Sequence, residues 1–339
     1  MDFQTVIQHL NRGTINPIYT LVGEEAYLKE QFMETLYKVL GGVDNLDISK
    51  LDLQEFTMDA VLDEAEMFSF FSDYRLLIVS NASFLNAQGK VKLTDKEQNR
   101  LLDYIANPNT ASVIIFNVDN PSLDKRKKIT KAMNKQTTVV DISHLDEEQV
   151  SRYVQSYIKQ SDISYTREAV HELLVRVNYQ LTNAMVEIAK LELFAQSERR
   201  ITIDTVRTLV ARTLESDVFQ LSNAITNKDV SRAIQIYQDL ILMKHEPIAL
   251  HALMVSQFRV MVQAVILART GMNQADIAKQ LAIHPYRVKL ALESVRSLQF
   301  EELIKFYTEL AEADYYMKTG FGDKETYFYV LLTKLAQLK

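Results

Sequence analysis

The chain has 339 residues, enough for two or three domains, and hydrophobic residues at 47% supply cores for them. It carries no cysteine, which excludes disulfides, thiol catalysis and cysteine-ligated zinc. A net charge of −6 argues against a generic nucleic-acid coat but leaves room for a local basic patch. With only 8 glycines and 5 prolines the chain suits a helix-rich fold with few tight turns. The opening Met1-Asp2-Phe3-Gln4-Thr5 shows no basic region followed by an apolar run. No apolar stretch of about 18 residues stands out, so a cytoplasmic location is expected.

In chain order, Pro17 to Gly23 reads as a strand ending in a turn. Residues 24–40 read as a helix, with Glu24 and Glu25 in the first turn where the helix dipole favours acids. A weaker strand follows at 48–52, then a helix at 57–67. The apolar runs Leu76-Leu77-Ile78-Val79 and Val113-Ile114-Ile115-Phe116 have the character of strands buried on both faces. Helices are expected at 94–106 and 122–134, and a fifth strand at 138–142. This alternation implies a parallel sheet wrapped by helices.

After residue 143 the strands stop in this reading. Helical periodicity continues at 146–160, 166–177, 180–196 and 203–213, then at 215–226, 229–243, 247–270, 274–281, 285–297, 299–318 and 324–338. Gly271 and Gly320-Phe321-Gly322 mark breaks. The expected layout is an α/β domain at 1–143, a small helical domain at 144–213 and a larger helical domain at 214–339. That order resembles an AAA+ module with an added helical domain.

Such a module normally carries a phosphate-binding loop, G-x-x-x-x-G-K-[ST]. The turn after the first strand is Gly23-Glu24-Glu25-Ala26-Tyr27-Leu28 instead, with no second glycine, no lysine and two carboxylates. Gly89-Lys90 lacks the upstream glycine, and Ile78-Val79 runs into Ser80-Asn81 rather than a pair of acids for Mg²⁺. No G-x-S-x-G or H-E-x-x-H occurs, since His171-Glu172 is followed by Leu173-Leu174-Val175. The histidines at 9, 144, 171, 245, 251 and 284 show no ligand pairing. No catalytic residue, metal or cofactor is expected.

Two segments stand out. Glu66-Met67-Phe68-Ser69-Phe70-Phe71-Ser72-Asp73-Tyr74 puts three phenylalanines on a short turn between helix and strand. Each can bury about 150–250 Å². They either plug the core or project as an anchor for another protein. The second segment, Asp124-Lys125-Arg126-Lys127-Lys128 with Lys131 and Lys135, is strongly basic. On a helix, Lys127, Lys128, Lys131 and Lys135 share a face. Lys125, Arg126, Lys127, Lys128 and Lys131 are candidates for nucleic-acid phosphate contacts, or else a solvated face. No aromatic interleaves with them, so base stacking is not expected.

These patches, in order, resemble the delta subunit of the bacterial DNA polymerase III clamp loader, of the Gram-positive type. They include Pro17 to Leu28, Met67 to Leu76, Asp124 to Lys128 and Glu187-Ile188-Ala189-Lys190-Leu191. Later come His245-Glu246-Pro247, Gln257-Phe258-Arg259, His284-Pro285-Tyr286 and Ala313 to Gly320. The resemblance implies an AAA+-like fold that binds no ATP, a small helical lid and a helical collar domain. The collar would join the ATPase subunits and the delta-prime subunit. The first domain would open the ring-shaped sliding clamp with a hydrophobic wedge, so that the clamp can be loaded on primed DNA. By position the wedge maps to Phe68, Phe70 and Phe71, where familiar members carry Leu-Phe in place of Phe70-Phe71. This favours Phe70 and Phe71 as exposed anchors, with Phe68 partly in the core. Met67, Leu62 and Val61 complete the expected clamp-contact set, with Met58 and Ala65 along the same helix. As a holoenzyme subunit the chain would fall under DNA-directed DNA polymerase (nucleotidyltransferase) without a catalytic site of its own. The competing readings are an active AAA+ ATPase or helicase-like motor, and a non-replicative helical adaptor.

Overall fold

The computed structural model describes residues 2–67, 69, 72–120, 123–281, 283, 285–320 and 323–336, with backbone alone at 285, 286, 335 and 336. The chain divides into two compact units, Met1–Leu145 and Asp146–Lys339.

The first unit begins with α1 (Phe3–Asn11), a helix absent from the sequence reading. Asp2 caps it by accepting from the Thr5 N–H, and Phe3, Val6, Ile7 and Leu10 form its buried stripe. Then follow β1 (Ile18–Val22), α2 (Ala26–Val39), β2 (Asp47–Asp52), α3 (Met58–Glu66) and β3 (Arg75–Ser80). The unit closes with α4 (Asp95–Ala106), β4 (Ser112–Val118), α5 (Lys128–Gln136) and β5 (Thr138–Asp141). The five strands are parallel in the order β2-β3-β4-β1-β5. Every residue of β1 and β4 is buried, which explains why these strands are apolar runs rather than alternations. The edge strand β2 is only half-buried and keeps its polar residues.

The β1–α2 turn leaves the sheet where the strand order reverses, the usual ligand position in such sheets. Here it lies flush against the neighbouring strands. The Gly23 N–H donates to the Val118 carbonyl and the Glu25 N–H to the Ile142 carbonyl, both at 2.9 Å. Gly23 has φ +127°, and a Cβ there would sit 2.4 Å from the Ile142 backbone, so only glycine fits. The Glu25 side chain is buried, with its Oε2 2.8 Å from His144 Nδ1.

The second unit starts with α6 (Glu147–Ile158), β6 (Ser164–Tyr165), α7 (Arg167–Arg176), α8 (Leu181–Phe194), β7 (Arg200–Ile201) and α9 (Ile203–Leu209). The expectation that strands stop after 143 is corrected here: β6 and β7 pair in parallel. Two-residue strands are too short to leave a periodic signal. The chain continues through α10 (Leu214–Thr226), α11 (Val230–Leu242), α12 (Pro247–Arg269), α13 (Gln274–Leu281), α14 (Pro285–Ser294), α15 (Phe300–Thr319) and α16 (Lys324–Ala336). Gly320 at φ +83° ends α15 in the left-handed region, as a C-terminal glycine does.

The long helix α12 is the axis of this part, burying Leu250, His251, Met254, Phe258 and Met261 among the helices around it. It is also the one described helix long and apolar enough to cross a membrane, which qualifies the expectation that no such stretch exists. Tyr237 stacks on Phe328 with ring centroids 3.8 Å apart, and His251 meets Phe328 edge-on.

His251 is fully buried, and neither ring nitrogen has a hydrogen-bond partner among the described residues. Burial holds its pKa down at about 4, against the opposing pull of the Asp314 carboxylate. The unfolded chain therefore takes up a proton near pH 6.5, before the folded chain does near pH 4. Stability is unaffected above that window and falls through it, by roughly 3 kcal/mol in all. Denaturant titrations from pH 7 to 4 should show this loss in the wild type. His251→Leu should remove that part of the slope.

Candidate clamp-binding turn and basic helix

The turn between α3 and β3 is held at both ends. Helix α3 starts at the Thr57 cap, whose hydroxyl accepts from the Ala60 N–H, and the Met58 N–H donates to Glu97 Oε1 at 3.0 Å. Its inner face is Met58, Val61, Leu62 and Ala65, all fully buried under the sheet beside Leu77, Ile114 and Phe116. Its outer face is tied to α4 by Arg100, which donates to Asp63 Oδ1 at 2.6 Å and Glu66 Oε2 at 3.2 Å.

The C-terminal end of α3 is tied to β4. The Ala65 carbonyl accepts from Ser112 Oγ at 2.7 Å and Asn109 Nδ2 at 3.0 Å. Across the turn, the Arg75 guanidinium pairs with Glu64 and lies 3.5 Å from Asp47. Inside the turn, Ser72 Oγ donates to the Tyr74 carbonyl at 2.7 Å, accepts from the Asp47 N–H at 3.3 Å and lies 2.9 Å from the Ser69 hydroxyl. The residues on either side of the Phe68–Phe71 stretch are thus held by the Arg75 ion pairs with Glu64 and Asp47 and by the two donors on the Ala65 carbonyl.

Of the expected contact residues, Met67 lies at this position with its side chain 50% exposed. Phe68, Phe70 and Phe71 lie outside the described residues. Val61 and Leu62 require a correction. Both are fully buried in the core of the first unit, so neither side chain can touch a partner, and the same holds for Met58 and Ala65. They enter the contact set through the family resemblance, but their helix spacing i, i+3, i+4, i+7 with Met58 and Ala65 is the signature of a core-facing stripe. Glu64, Arg75, Asn109 and Ser112, which hold the turn in place, were not among the expected site residues. Their pairing across 11 to 47 residues of chain leaves no local motif.

The basic segment is also rearranged. The helix α5 starts at Lys128 rather than near 122, because the preceding residues form a self-bonded turn. Arg126 makes a fork onto Asp124, at 2.9 Å and 3.0 Å, and this guanidinium holds the Asp124 carboxyl down at about 2. Lys127 turns inward. Its Nζ donates to the Phe84 carbonyl at 2.8 Å and the Asn86 carbonyl at 2.7 Å, so it anchors the loop after β3 and leaves the phosphate-contact set. Lys125, Lys128, Lys131 and Lys135 are exposed, the last three along one face of α5 opposite the buried Ile129 and Met133.

Among the described residues no group of histidine, cysteine and acidic side chains is arranged to hold a metal.

Comparison with known proteins agrees with this architecture. Residues 19–143 match the family described as DNA polymerase III, delta subunit. Residues 215–335 match the DNA polymerase III delta subunit, C-terminal domain. The chain is 34% identical over 332 residues to the DNA polymerase III subunit delta of Bacillus subtilis, covering 97% of this chain and 96% of that one. It is 22% identical over 312 residues to a probable DNA polymerase III subunit delta of Aquifex aeolicus, covering 90% of this chain and 87% of that one. The solved Bacillus subtilis DNA clamp loader delta protein superposes with a TM-score of 0.79 at 33% identity, over 99% of both chains. The chain therefore belongs to the DNA polymerase III delta subunit family.

Proposed function

We propose that this clamp-loader delta subunit binds the sliding clamp through the Met67–Tyr74 turn and opens the clamp ring, without ATP chemistry of its own. The observation that carries the reading is the pinned base of that turn. A loop of three phenylalanines is an anchor only if its ends are fixed, since ordering a mobile segment on binding consumes affinity. Here the Glu64–Arg75 pair and the two donors on the Ala65 carbonyl fix both ends. Phe70 and Phe71 fill an apolar pocket on the clamp, and Met67 flanks them. Helix α3 acts as a rigid strut behind the anchor, since its apolar face is committed to the core.

Binding shifts the ring toward the open state only by the difference in affinity for open over closed. A pinned anchor can express such a difference; a compliant one follows the ring in either state.

The closed β1–α2 turn supports the absence of nucleotide chemistry. Its Gly23 and Glu25 N–H groups are spent on Val118 and Ile142 carbonyls, and the buried Glu25 carboxylate lies at that turn. Energy for the loading cycle then comes from partner ATPase subunits, met with delta-prime through a collar formed by residues 214–339, with residues 144–213 as the lid. The complex acts on primed DNA in the cytoplasm.

The direct test labels the clamp with a fluorophore pair across its subunit interface and adds the intact chain. Separation of the pair without nucleotide is expected. No separation at saturating binding would overturn the opening role.

Within that complex Lys125, Lys128 and Lys131 are placed to meet DNA phosphates. Lys125→Gln/Lys128→Gln/Lys131→Gln should lower the salt dependence of DNA binding by the loader by up to about 3 in log–log slope. An unchanged slope would mark α5 as a solvated face.

A further inference from the structure

A second, separate site lies in the Asp146–Lys339 unit. A cavity of about 450 Å³ opens between the segment after α9 and the helices α10 and α11. Four arginines line it: Arg176 on α7, whose side chain is committed to the wall, and Arg207 near the end of α9, Arg212 in the following segment and Arg232 on α11. None of the last three is tightly neutralised. Arg207 is 3.7 Å from Glu172, Arg212 is 3.9 Å from Asp217, and Arg232 bonds the neutral amide oxygen of Gln235 at 2.8 Å.

The wall is built rather than incidental. Arg176, whose side chain is nearly buried, donates through Nε to Glu172 and through Nη1 to the Val210 carbonyl at 2.6 Å and the Arg207 carbonyl at 3.3 Å. That clamp fixes the backbone from which Arg207 and Arg212 project. The opposite wall is apolar, from Ile236 and Leu240, with Met243 largely exposed at the lip. Two carboxylates, Asp217 and Asp239, also face the cavity. They leave the arginines in excess. Burial pushes the Asp217 carboxyl up despite its arginine neighbours, which weakens it as a competitor for them.

We infer that this cavity binds phosphate groups, taken either from a free polyphosphate compound or from the backbone of single-stranded nucleic acid. Guanidiniums are the side chains suited to bidentate phosphate recognition. The volume falls within the range of small-ligand sites. An apolar wall beside the arginines accommodates the less polar part of a nucleotide. Nothing in this inference depends on clamp binding.

The test is titration calorimetry of the intact chain with inorganic pyrophosphate and, separately, with a short oligothymidylate, at 0.05 and 0.2 M salt. Binding is expected for the wild type, weakened at least about tenfold in Arg207→Gln/Arg212→Gln/Arg232→Gln. Asp239→Asn, which removes a repelling charge, should tighten it. These side chains are largely on the surface. If the triple variant fails to fold, Arg232→Gln alone still tests the site, because its recorded bond is to its own helix. Tighter binding of the oligonucleotide, lost in the same variants, identifies nucleic acid as the source. Loss with pyrophosphate alone identifies a free phosphate compound. Lys159→Gln, an exposed cation outside this cavity, serves as the control and should leave pyrophosphate binding unchanged. No pyrophosphate or oligonucleotide binding by the wild type, or equal binding by the arginine variants, would overturn the inference.

Discussion

Leu62→Ala should destabilise the Met1–Leu145 unit by about 2–5 kcal/mol, the range for removing a fully buried leucine side chain from a close-packed core. Leu62 is fully buried beneath the sheet. Met67→Ala, one turn further on, should change stability by no more than about 0.5 kcal/mol, because its side chain is half exposed. The pair separates two roles that the sequence places on one helix. Urea unfolding followed by circular dichroism gives both numbers. A small loss for Leu62→Ala would mean that the inner face of α3 is not the core surface described. Clamp binding by Leu62→Ala, measured where the protein is still folded, should stay close to wild type.

Much of the fold was legible. All five long strands are legible in the sequence: β3 and β4 stand out as apolar runs, because central parallel strands are covered on both faces, while the half-buried edge strand β2 keeps polar residues and gives only a weak signal. The helices after residue 143 were visible from their spacing and their glycine breaks. What escaped has identifiable causes. Strands β6 and β7 have two residues each, below the length at which a period exists. Helix α1 was legible in Asp2 and in the Phe3, Val6, Ile7, Leu10 stripe, but its nine residues lie ahead of the first strand and were passed over. Helix α5 starts later than the sequence suggests because Lys127 turns inward onto the Phe84 and Asn86 carbonyls, more than 40 residues away, just after the local Asp124–Arg126 fork.

The site was legible in part. The phenylalanine turn is conspicuous because three large aromatics in four residues strain any soluble surface. Val61 and Leu62 enter the contact set through the resemblance, while their spacing with Met58 and Ala65 already marks a core-facing stripe. The anchoring of the turn by Glu64, Arg75, Asn109 and Ser112 is long-range and had no local signal. The same is true of the arginine-lined cavity, whose cations come from separate elements.

The second large effect concerns Phe70 and Phe71. Buried aromatic anchors contribute about 2 kcal/mol or more each when truncated, and the two share one pocket, so the double change is not the sum of the singles. Phe70→Ala/Phe71→Ala should weaken clamp binding by roughly 10²–10³-fold. It should leave the unfolding transition nearly in place, because an anchor outside the core contributes little to stability.

The most direct measurement is therefore a calorimetric titration of the intact chain against its sliding clamp, wild type beside Phe70→Ala/Phe71→Ala, with unfolding curves for both. Tight binding by the wild type, lost in a double variant that unfolds like the wild type, is the expected result. Equal clamp binding by the two proteins, or a double variant that loses binding only because it no longer folds, would contradict the assignment of this turn as the clamp anchor.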